Sequence, residues 1–120
     1  MYSLEASLSC LTSPASSSEL TNSIVNQNLD DALPLLPIEF VDLMVIDPPY
    51  NLTKNYTGNI FKSCDSTDHV SWFEKTLSSL LPLLRPNASL YVCSDWHTSN
   101  LVFPALDNHV QVRNRITWER

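Results

Sequence analysis

Residues 47–50 carry the groups with the clearest capacity for chemistry. A run of apolar residues ends at Asp47, which is followed by Pro48, Pro49 and Tyr50. Each proline fixes φ and lacks an amide hydrogen, and Pro49 holds Pro48 in an extended conformation. The Asp47 carboxylate and the Pro48 carbonyl are therefore two rigid acceptors beside an aromatic ring. Such a site suits a planar group that bears an NH2.

Amino groups of nucleobases fit this description. Their nitrogen is a poor nucleophile because its lone pair is delocalised into the ring. Two fixed oxygens that accept both N–H bonds favour a more tetrahedral nitrogen, whose lone pair can then attack an electrophile. Charge-assisted hydrogen bonds are the stronger kind, so Asp47 is predicted to contribute most. Asp-Pro alone ends many strands and Pro-Pro often marks a turn, whereas DPPYN after an apolar strand is a more specific signal.

The elements that position these residues can be predicted from hydrophobic periodicity. Residues 40–46 form an apolar run, which predicts a strand buried on both faces. Residues 50–66 lack a clear period and predict a long loop. A helix is predicted from Ser71, because Ser71 and Glu74 fit a capping box, and Pro82 predicts its end. The apolar residues on one face of this helix are Phe73, Leu77, Leu80, Leu81 and Leu84.

The second half of the chain repeats this alternation. A turn is predicted at residues 85–89, a second buried strand at 89–94, and a short helix that begins at Asp95 or Thr98. Alternating apolar and polar residues over 110–118 predict a strand with one solvated face. The order predicts an α/β fold with an open sheet, in which ligands bind beyond the carboxyl ends of the strands. Residues 47–50 occupy such a position.

Composition excludes several classes of protein. The chain has 120 residues, of which 43% are hydrophobic, so it can form one modest domain. Gly58 is the only glycine, which excludes glycine-rich phosphate loops. A formal charge of −6 makes the chain as a whole a poor partner for nucleic acid. Arg113, Arg115 and Arg120 cluster near the end, where a solvated strand face explains them as well as a nucleic-acid contact does.

The spacing of the cysteines and the composition of the N-terminal residues predict the cellular compartment of the protein. Cys10, Cys64 and Cys93 contain no CxxC pair and predict reduced thiols in a cytoplasmic protein. The histidines show no ligand-like spacing with them, so no metal site is predicted. No apolar run is long enough for a membrane span. Residues 1–24 are rich in Ser and Thr, lack the features of a secretory signal, and predict a disordered leader before a domain at 25–120.

The residues VDLMVIDPPYNLTKNY resemble motif IV of the amino-group DNA methyltransferases, in the DPPY class that modifies adenine with S-adenosylmethionine. The preceding DALPLLPIEFVDL and the following WFEKTLSSLLPLLRPNASLYVCSDWHTSN and VRNRITWER resemble neighbouring segments of that family. The resemblance covers roughly residues 25–120. It implies a partial Rossmann-like open sheet of an S-adenosylmethionine-dependent methyltransferase, with double-stranded DNA as the partner of the full-length enzyme.

The resemblance also implies roles for single residues. Asp47 and the Pro48 carbonyl would bind the adenine amino group, Pro49 would set the geometry, and Tyr50 would stack on the flipped base. Asp47 would also lie near the methyl donor. Asp31 matches an acidic residue near the cofactor's adenine, with Asp30 as an equal candidate. Trp118 fits either a pocket wall or the core.

Two departures from the family pattern define the expectation for the isolated chain. The usual PNG turn is here Pro86-Asn87-Ala88, and alanine resists a positive φ. The glycine-containing cofactor loop is missing, which fits the arrangement in which DPPY precedes that loop. The chain is therefore interpreted as an N-terminal fragment, and calorimetry is expected to detect no binding of S-adenosylmethionine.

Other functions stay open. Relatives that methylate the amino group of cytosine, an RNA base or a glutamine amide more often carry Ser or Asn in place of the acid, so Asp47 favours adenine. A non-enzyme is the further alternative: an inactive remnant, or a half-domain that needs a partner chain. Unpaired strand edges of such a half-domain predict that the isolated chain self-associates or is poorly folded.

Overall fold

The structure, a computed structural model, describes residues 8–51, 53–56, 59–61 and 63–117. The strands are β1 (Leu8–Ser9), β2 (Ile24–Val25), β3 (Val41–Ile46), β4 (Lys54–Tyr56), β5 (Asn59–Phe61) and β6 (Leu84–Val92). The α-helices are α1 (Ser17–Leu20), α2 (Leu29–Ala32), α3 (Ser66–Leu80) and α4 (Trp96–Asp107). Single 3-10 turns follow α2 at Leu33–Leu35 and α3 at Leu81–Leu83.

The chain has a mixed α/β architecture, as predicted. Its described strands form three two-stranded sheets, β1 with β2, β3 with β6, and β4 with β5. The β1–β2 pair is parallel, with Leu8 opposite Ile24. The larger Rossmann-like sheet therefore stays a prediction. Within the described part of the chain, no helix is long and apolar enough to cross a membrane.

The chain divides into two compact units. One comprises Met1–Met44 with Ser79–Leu90, and the other comprises Val45–Ser78 with Tyr91–Arg120. The first unit includes β1 and α1, which fall within the segment predicted as a leader, and β2, which crosses the predicted boundary at residue 24. The boundary at residue 24 stays a prediction, and residues 1–7 lie outside the described residues.

Strand β3 forms where the apolar run predicts it, but burial on both faces is wrong. Leu43 is 58% exposed and Val45 is 63% exposed. Alternate side chains of a strand point to opposite faces, so these two residues mark one exposed face. Burial on both faces requires elements packed on both sides of a sheet, and the described β3–β6 sheet leaves this side open.

Strand β6 begins five residues earlier than predicted, at Leu84, and includes the predicted turn at 85–89. Arg85 anchors this start: its Nε donates to the Glu39 carbonyl at 3.1 Å, and its Nη1 lies 2.7 Å from an Asp42 carboxylate oxygen. Glu39 itself has a positive φ of 49°. Ala88 lies inside the strand, so the altered PNG turn needs no positive φ there.

Helix α3 begins at Ser66 rather than at Ser71, so the predicted capping box is wrong. The Asp65 side chain accepts a hydrogen bond from the Thr67 amide at 2.8 Å and satisfies one of the unpaired donors of the first turn. The helix ends at Leu80, two residues before Pro82, as expected for a residue that cannot continue a helix.

Two other predictions in this region are corrected. The predicted loop at 50–66 contains an antiparallel hairpin in which Lys54 pairs with Phe61 and Tyr56 with Asn59. The predicted strand at 110–118 has no strand structure over its described residues up to 117, because alternation alone supplies no pairing partner. Trp118 lies outside the described residues.

Helix α4 begins after Asp95, one of the two predicted starts, and Asp95 caps it through the Thr98 amide at 2.7 Å. Pro104 lies inside the helix. The buried apolar residues of the second unit lie on α3 and α4. They are Phe73, Leu77, Val102 and Ala105.

The substitution Leu77→Ala should lower the free energy of unfolding by about 2–5 kcal/mol, because it removes a fully buried side chain from this core. Ser78→Ala, on the exposed side of the same helix, should change it by less than about 0.5 kcal/mol. Urea unfolding followed by circular dichroism measures both. Equal effects of the two substitutions would contradict the assignment of this core.

Candidate active site

The ends of β3 and β6 lie side by side in the second unit. The Cys93 amide donates a hydrogen bond to the Ile46 carbonyl at 2.8 Å. The chain after β3 and the chain after β6 therefore leave from adjacent positions. Asp47 is the first residue beyond β3, and its side chain is exposed. Its carboxylate is thus available to solvent and to a ligand.

Tyr50 is tied to Asp47. Its phenol O–H donates to the Asp47 Oδ1 atom at 3.1 Å, and the residue is half-buried. Burial is the main cause that raises the pKa of Tyr50, followed by the hydrogen bond with Asp47 and the negative charges of Asp47, Cys93 and Asp95. The phenol therefore remains a donor at neutral pH and holds one carboxylate oxygen of Asp47 in place.

The four predicted catalytic positions form one continuous segment. Pro48 is half-buried, Pro49 is exposed, and both lie between the hydrogen-bonded Asp47 and Tyr50. A bond across three residues closes this segment, and the two prolines remove most of its backbone freedom. The acceptors of Asp47 and Pro48 are consequently presented on a short, constrained turn.

Asn51, which the sequence reasoning gave no role, joins this turn to two helices. Its side chain donates to the Cys64 carbonyl at 3.0 Å and accepts from the Cys64 amide at 2.9 Å. Its own amide donates to the Thr98 hydroxyl at 3.3 Å. The only sequence signal was its place directly after Tyr50, because asparagine often bonds backbone groups near turns.

Polar groups of α3 and α4 complete the surroundings. Thr98 is 3% exposed, and its amide is held by the Asp95 cap. His69 on α3 is buried, and its ring centroid lies 5.6 Å from that of Trp72. Burial lowers the pKa of His69, while the charge of Asp95 acts in the opposite direction. A lowered pKa keeps His69 neutral at pH 7 and makes the folded state lose stability as the pH falls below about 6.5.

An aromatic pair marks the first turn of α4. The rings of Trp96 and His97 lie with their centroids 3.4 Å apart and their planes at 32°. Trp96 is 67% exposed, so its ring faces solvent at the edge of this region. Neither residue had a predicted role.

The predicted cofactor residues fall in different units. Asp31 and Asp30 are exposed on α2 of the first unit, where the Asn28 side chain caps the helix through the Asp30 amide at 3.0 Å. Asp47 belongs to the second unit. A cofactor site that uses both Asp31 and Asp47 therefore stays a prediction. The described residues alone do not fit S-adenosylmethionine, because no glycine-bearing loop accompanies these carboxylates.

A shallow groove of about 380 Å³ lies elsewhere in the second unit. It is lined by Ser66, Thr67, Val70, Ser71, Glu74 and Leu101. None of the predicted site residues lines it, so it is not part of the candidate site. The described chain also contains no cluster of three His, Cys, Asp or Glu side chains able to hold a metal ion.

Comparison with known proteins assigns this chain to a family. Residues 41–120, which include the Asp47–Tyr50 segment and its surroundings, match the DNA methylase family model. The chain belongs to the DNA methylase family. The DNA methylase family is a family of methyltransferases.

Two curated relatives show how similar the chain is to known proteins and how much of each protein it covers. The DNA adenine methyltransferase YhdJ of Escherichia coli strain K12 is 28% identical over 85 residues, which are 69% of this chain and 28% of the relative. The Type II methyltransferase M.BamHI of Bacillus amyloliquefaciens is 27% identical over 82 residues, or 68% of this chain and 19% of the relative. The chain thus spans less than a third of either relative. No solved structure matches.

The substitution Asp47→Asn should lower the pKa of Tyr50 toward its ordinary value of about 10 without reaching it, because burial remains. The raised pKa stabilises the folded chain below pH ~10, and this contribution is lost as the pH rises further. Tyrosinate absorbance measures the titration, with Tyr50→Phe subtracted to isolate the signal. Asp107→Asn, the same charge change at the exposed end of α4, should leave the titration unchanged. Identical curves for parent and Asp47→Asn would disprove the contact.

Proposed function

We propose that this chain is the base-binding part of an S-adenosylmethionine-dependent DNA methyltransferase that acts on the N6 amino group of adenine. The observation that carries the proposal is the exposed Asp47 carboxylate at the end of β3, oriented by Tyr50 and followed by the Pro48 carbonyl. Membership of the DNA methylase family supports methyl transfer to DNA. One relative, YhdJ, is a DNA adenine methyltransferase by name, which supports the choice of base.

The proposed chemistry follows from the acceptors. The amino group of a flipped adenine donates one N–H to Asp47 and the other to the Pro48 carbonyl. Both bonds favour a tetrahedral nitrogen with its lone pair directed out of the ring plane. The Asp47 charge stabilises the positive charge that develops on this nitrogen as it gains a methyl group. The methyl group would come from bound S-adenosylmethionine, whose sulfur would keep the electron pair of the broken S–CH3 bond as the N–CH3 bond forms, and the methylated nitrogen would then lose one N–H proton.

Tyr50 has two parts in this scheme. Its hydroxyl fixes the Asp47 carboxylate before the base arrives, so that little reorganisation is needed. Its ring provides a stacking surface for the flipped base. Extruding a base from the duplex costs a few kcal/mol, and contacts with the ring and the two acceptors offset that cost.

The charge distribution supports DNA contacts outside the base pocket. All 7 basic residues lie at or after Lys54, while residues 1–53 contain none. The net charge of −6 leaves little attraction for the phosphate backbone as a whole. We therefore propose that double-stranded DNA is held mainly by other parts of the full-length enzyme.

The cofactor site is proposed to be shared with further sequence. Gly58 is the only glycine, and the chain spans 19% and 28% of its two relatives. Both facts support a cofactor loop that lies outside this sequence. Asp47 would then lie near the methyl donor.

A ligand that lacks the amino group tests the proposed base. The chain should bind a single-stranded oligothymidylate with one central adenine more strongly than the same strand with hypoxanthine, because hypoxanthine offers no NH2. A single strand avoids the cost of base extrusion. Saturation-transfer NMR measures the weak binding, and a central cytosine tests the alternative amino substrate.

Asp47→Ala should abolish the preference for adenine over hypoxanthine, whereas Asp107→Asn should retain it as a control for charge. Equal binding of all three strands by the parent chain would refute the proposed pocket. A preference for cytosine would favour the cytosine-N4 alternative, and binding that survives Asp47→Ala would remove Asp47 from the site.

A half-domain that needs a partner is the second candidate, favoured by the exposed face of β3. Leu43 and Val45 are both more than half exposed on that face. An apolar strand face of this kind is a site for association. The partner would be a second copy of the chain or another polypeptide.

The double substitution Leu43→Thr/Val45→Thr should convert a self-associating chain toward a monomer, because threonine keeps strand propensity but removes apolar surface. Sedimentation velocity measures the change. Ile38→Thr, at an equally exposed apolar residue before β3, should leave association unchanged. A parent chain that is already monomeric would rule out this interpretation of the face.

A further inference from the structure

The residue directly after the DPPY segment joins three parts of the second unit. We propose that Asn51 is the positioning residue of the candidate base pocket: it fixes the Asp47–Tyr50 turn against the starts of α3 and α4. The identity of the ligand rests on the proposed function. The positioning itself rests on contacts of the chain alone.

The side chain of Asn51 bonds both backbone groups of Cys64, as a neighbouring strand would. One amide group both donates to the Cys64 carbonyl and accepts from the Cys64 amide, at 3.0 and 2.9 Å. Only a side chain with an adjacent donor and acceptor can satisfy both backbone groups of one residue. Cys64 directly precedes Asp65, which caps α3 through Thr67. The bond pair therefore fixes where α3 begins.

The backbone of Asn51 makes the second connection. Its amide donates to the hydroxyl of Thr98, a buried residue in the first turn of α4. Thr98 is in turn held by the Asp95 cap. A buried polar group that loses its partner is destabilised, so this contact resists displacement. Asn51 cannot move without disturbing either α4 or Cys64.

A second pair extends the connection toward the hairpin. The Thr53 hydroxyl lies 3.1 Å from the Ser63 hydroxyl and accepts from the Ser63 amide at 3.1 Å. The contacts 51–64 and 53–63 thus precede the ladder that begins with Lys54 and Phe61. Thr53 contacts the base of the hairpin but neither helix, which makes it a suitable control.

The consequence for the pocket follows from chain connectivity. Tyr50 is bonded to Asp47 within its own turn, and that local bond does not orient the turn toward the rest of the unit. Asn51 is the next residue, and its three contacts tie the segment to Cys64 and Thr98. Loss of those contacts should leave the local bond while exposing the Tyr50 ring and loosening the acceptors.

Amide hydrogen exchange of the chain tests the contacts. Asn51→Ala should increase exchange at the Cys64 amide by roughly tenfold, because its acceptor is removed. Asn51→Asp keeps the acceptor but replaces the donor with a negatively charged oxygen that faces the Cys64 carbonyl, so it should retain part of the protection at Cys64. Thr53→Val should increase exchange at Ser63 and leave Cys64 unchanged.

Two measurements at the candidate base pocket distinguish a positioning role of Asn51 from a purely local structural effect. Asn51→Ala should lower the pKa of Tyr50 toward its ordinary value and reduce the preference for adenine over hypoxanthine, whereas Thr53→Val should change neither. Circular dichroism checks that each variant is folded. If Asn51→Ala does not fold, Asn51→Asp decides: an adenine preference near that of the parent supports the proposal.

The proposal is overturned if Asn51→Ala releases the Cys64 amide but leaves the Tyr50 titration unchanged, or if Thr53→Val matches it in both pocket measurements. It is likewise overturned if Asn51→Asp stays folded and protected at Cys64 but loses the Tyr50 environment. A parent chain without any adenine preference refutes the proposed function only. The Tyr50 titration then still decides whether Asn51 positions this turn.

Discussion

The hydrogen bond between the Cys93 amide and the Ile46 carbonyl determines where the polar groups of this chain meet. It pairs the end of β3 with the residue that follows β6. The two segments that leave the sheet here carry Asp47 and Tyr50 on one side, and Asp95 and Thr98 on the other. The position of the α4 cap relative to the Asp47 carboxylate depends on this starting point.

The sequence could predict this site to the extent that its geometry is local. Asp47 at the end of an apolar strand, two prolines, and a tyrosine three residues later define a turn with little freedom. The start of α4 at Asp95 was predictable for the same reason, since capping needs only the next few residues. The family resemblance pointed to the same segment, which lies within the matched residues 41–120, and the roles of its residues stay predictions.

Features that depend on distant residues were predicted wrongly or missed. Ser71 matches the sequence pattern of a helix cap, yet α3 begins earlier because Asp65 caps it. The residue before this cap, Cys64, is held by Asn51, which lies 13 residues away in the sequence. Strand β6 extends through Pro86 because Arg85 is anchored to Glu39 and Asp42. No local pattern contains this information. Likewise, the apolar run of β3 correctly predicted a strand, but it did not predict which faces of that strand are covered.

Pro104 has a mechanical consequence for the same region. A proline inside a helix cannot donate to the carbonyl four residues earlier, here that of Asn100, so α4 has a weak point between its two halves. The first half contains Asp95 and Thr98, which hold the turn after β3. Any bend in α4 is therefore expected at this joint and not in the first turn, because the first turn keeps its hydrogen bonds.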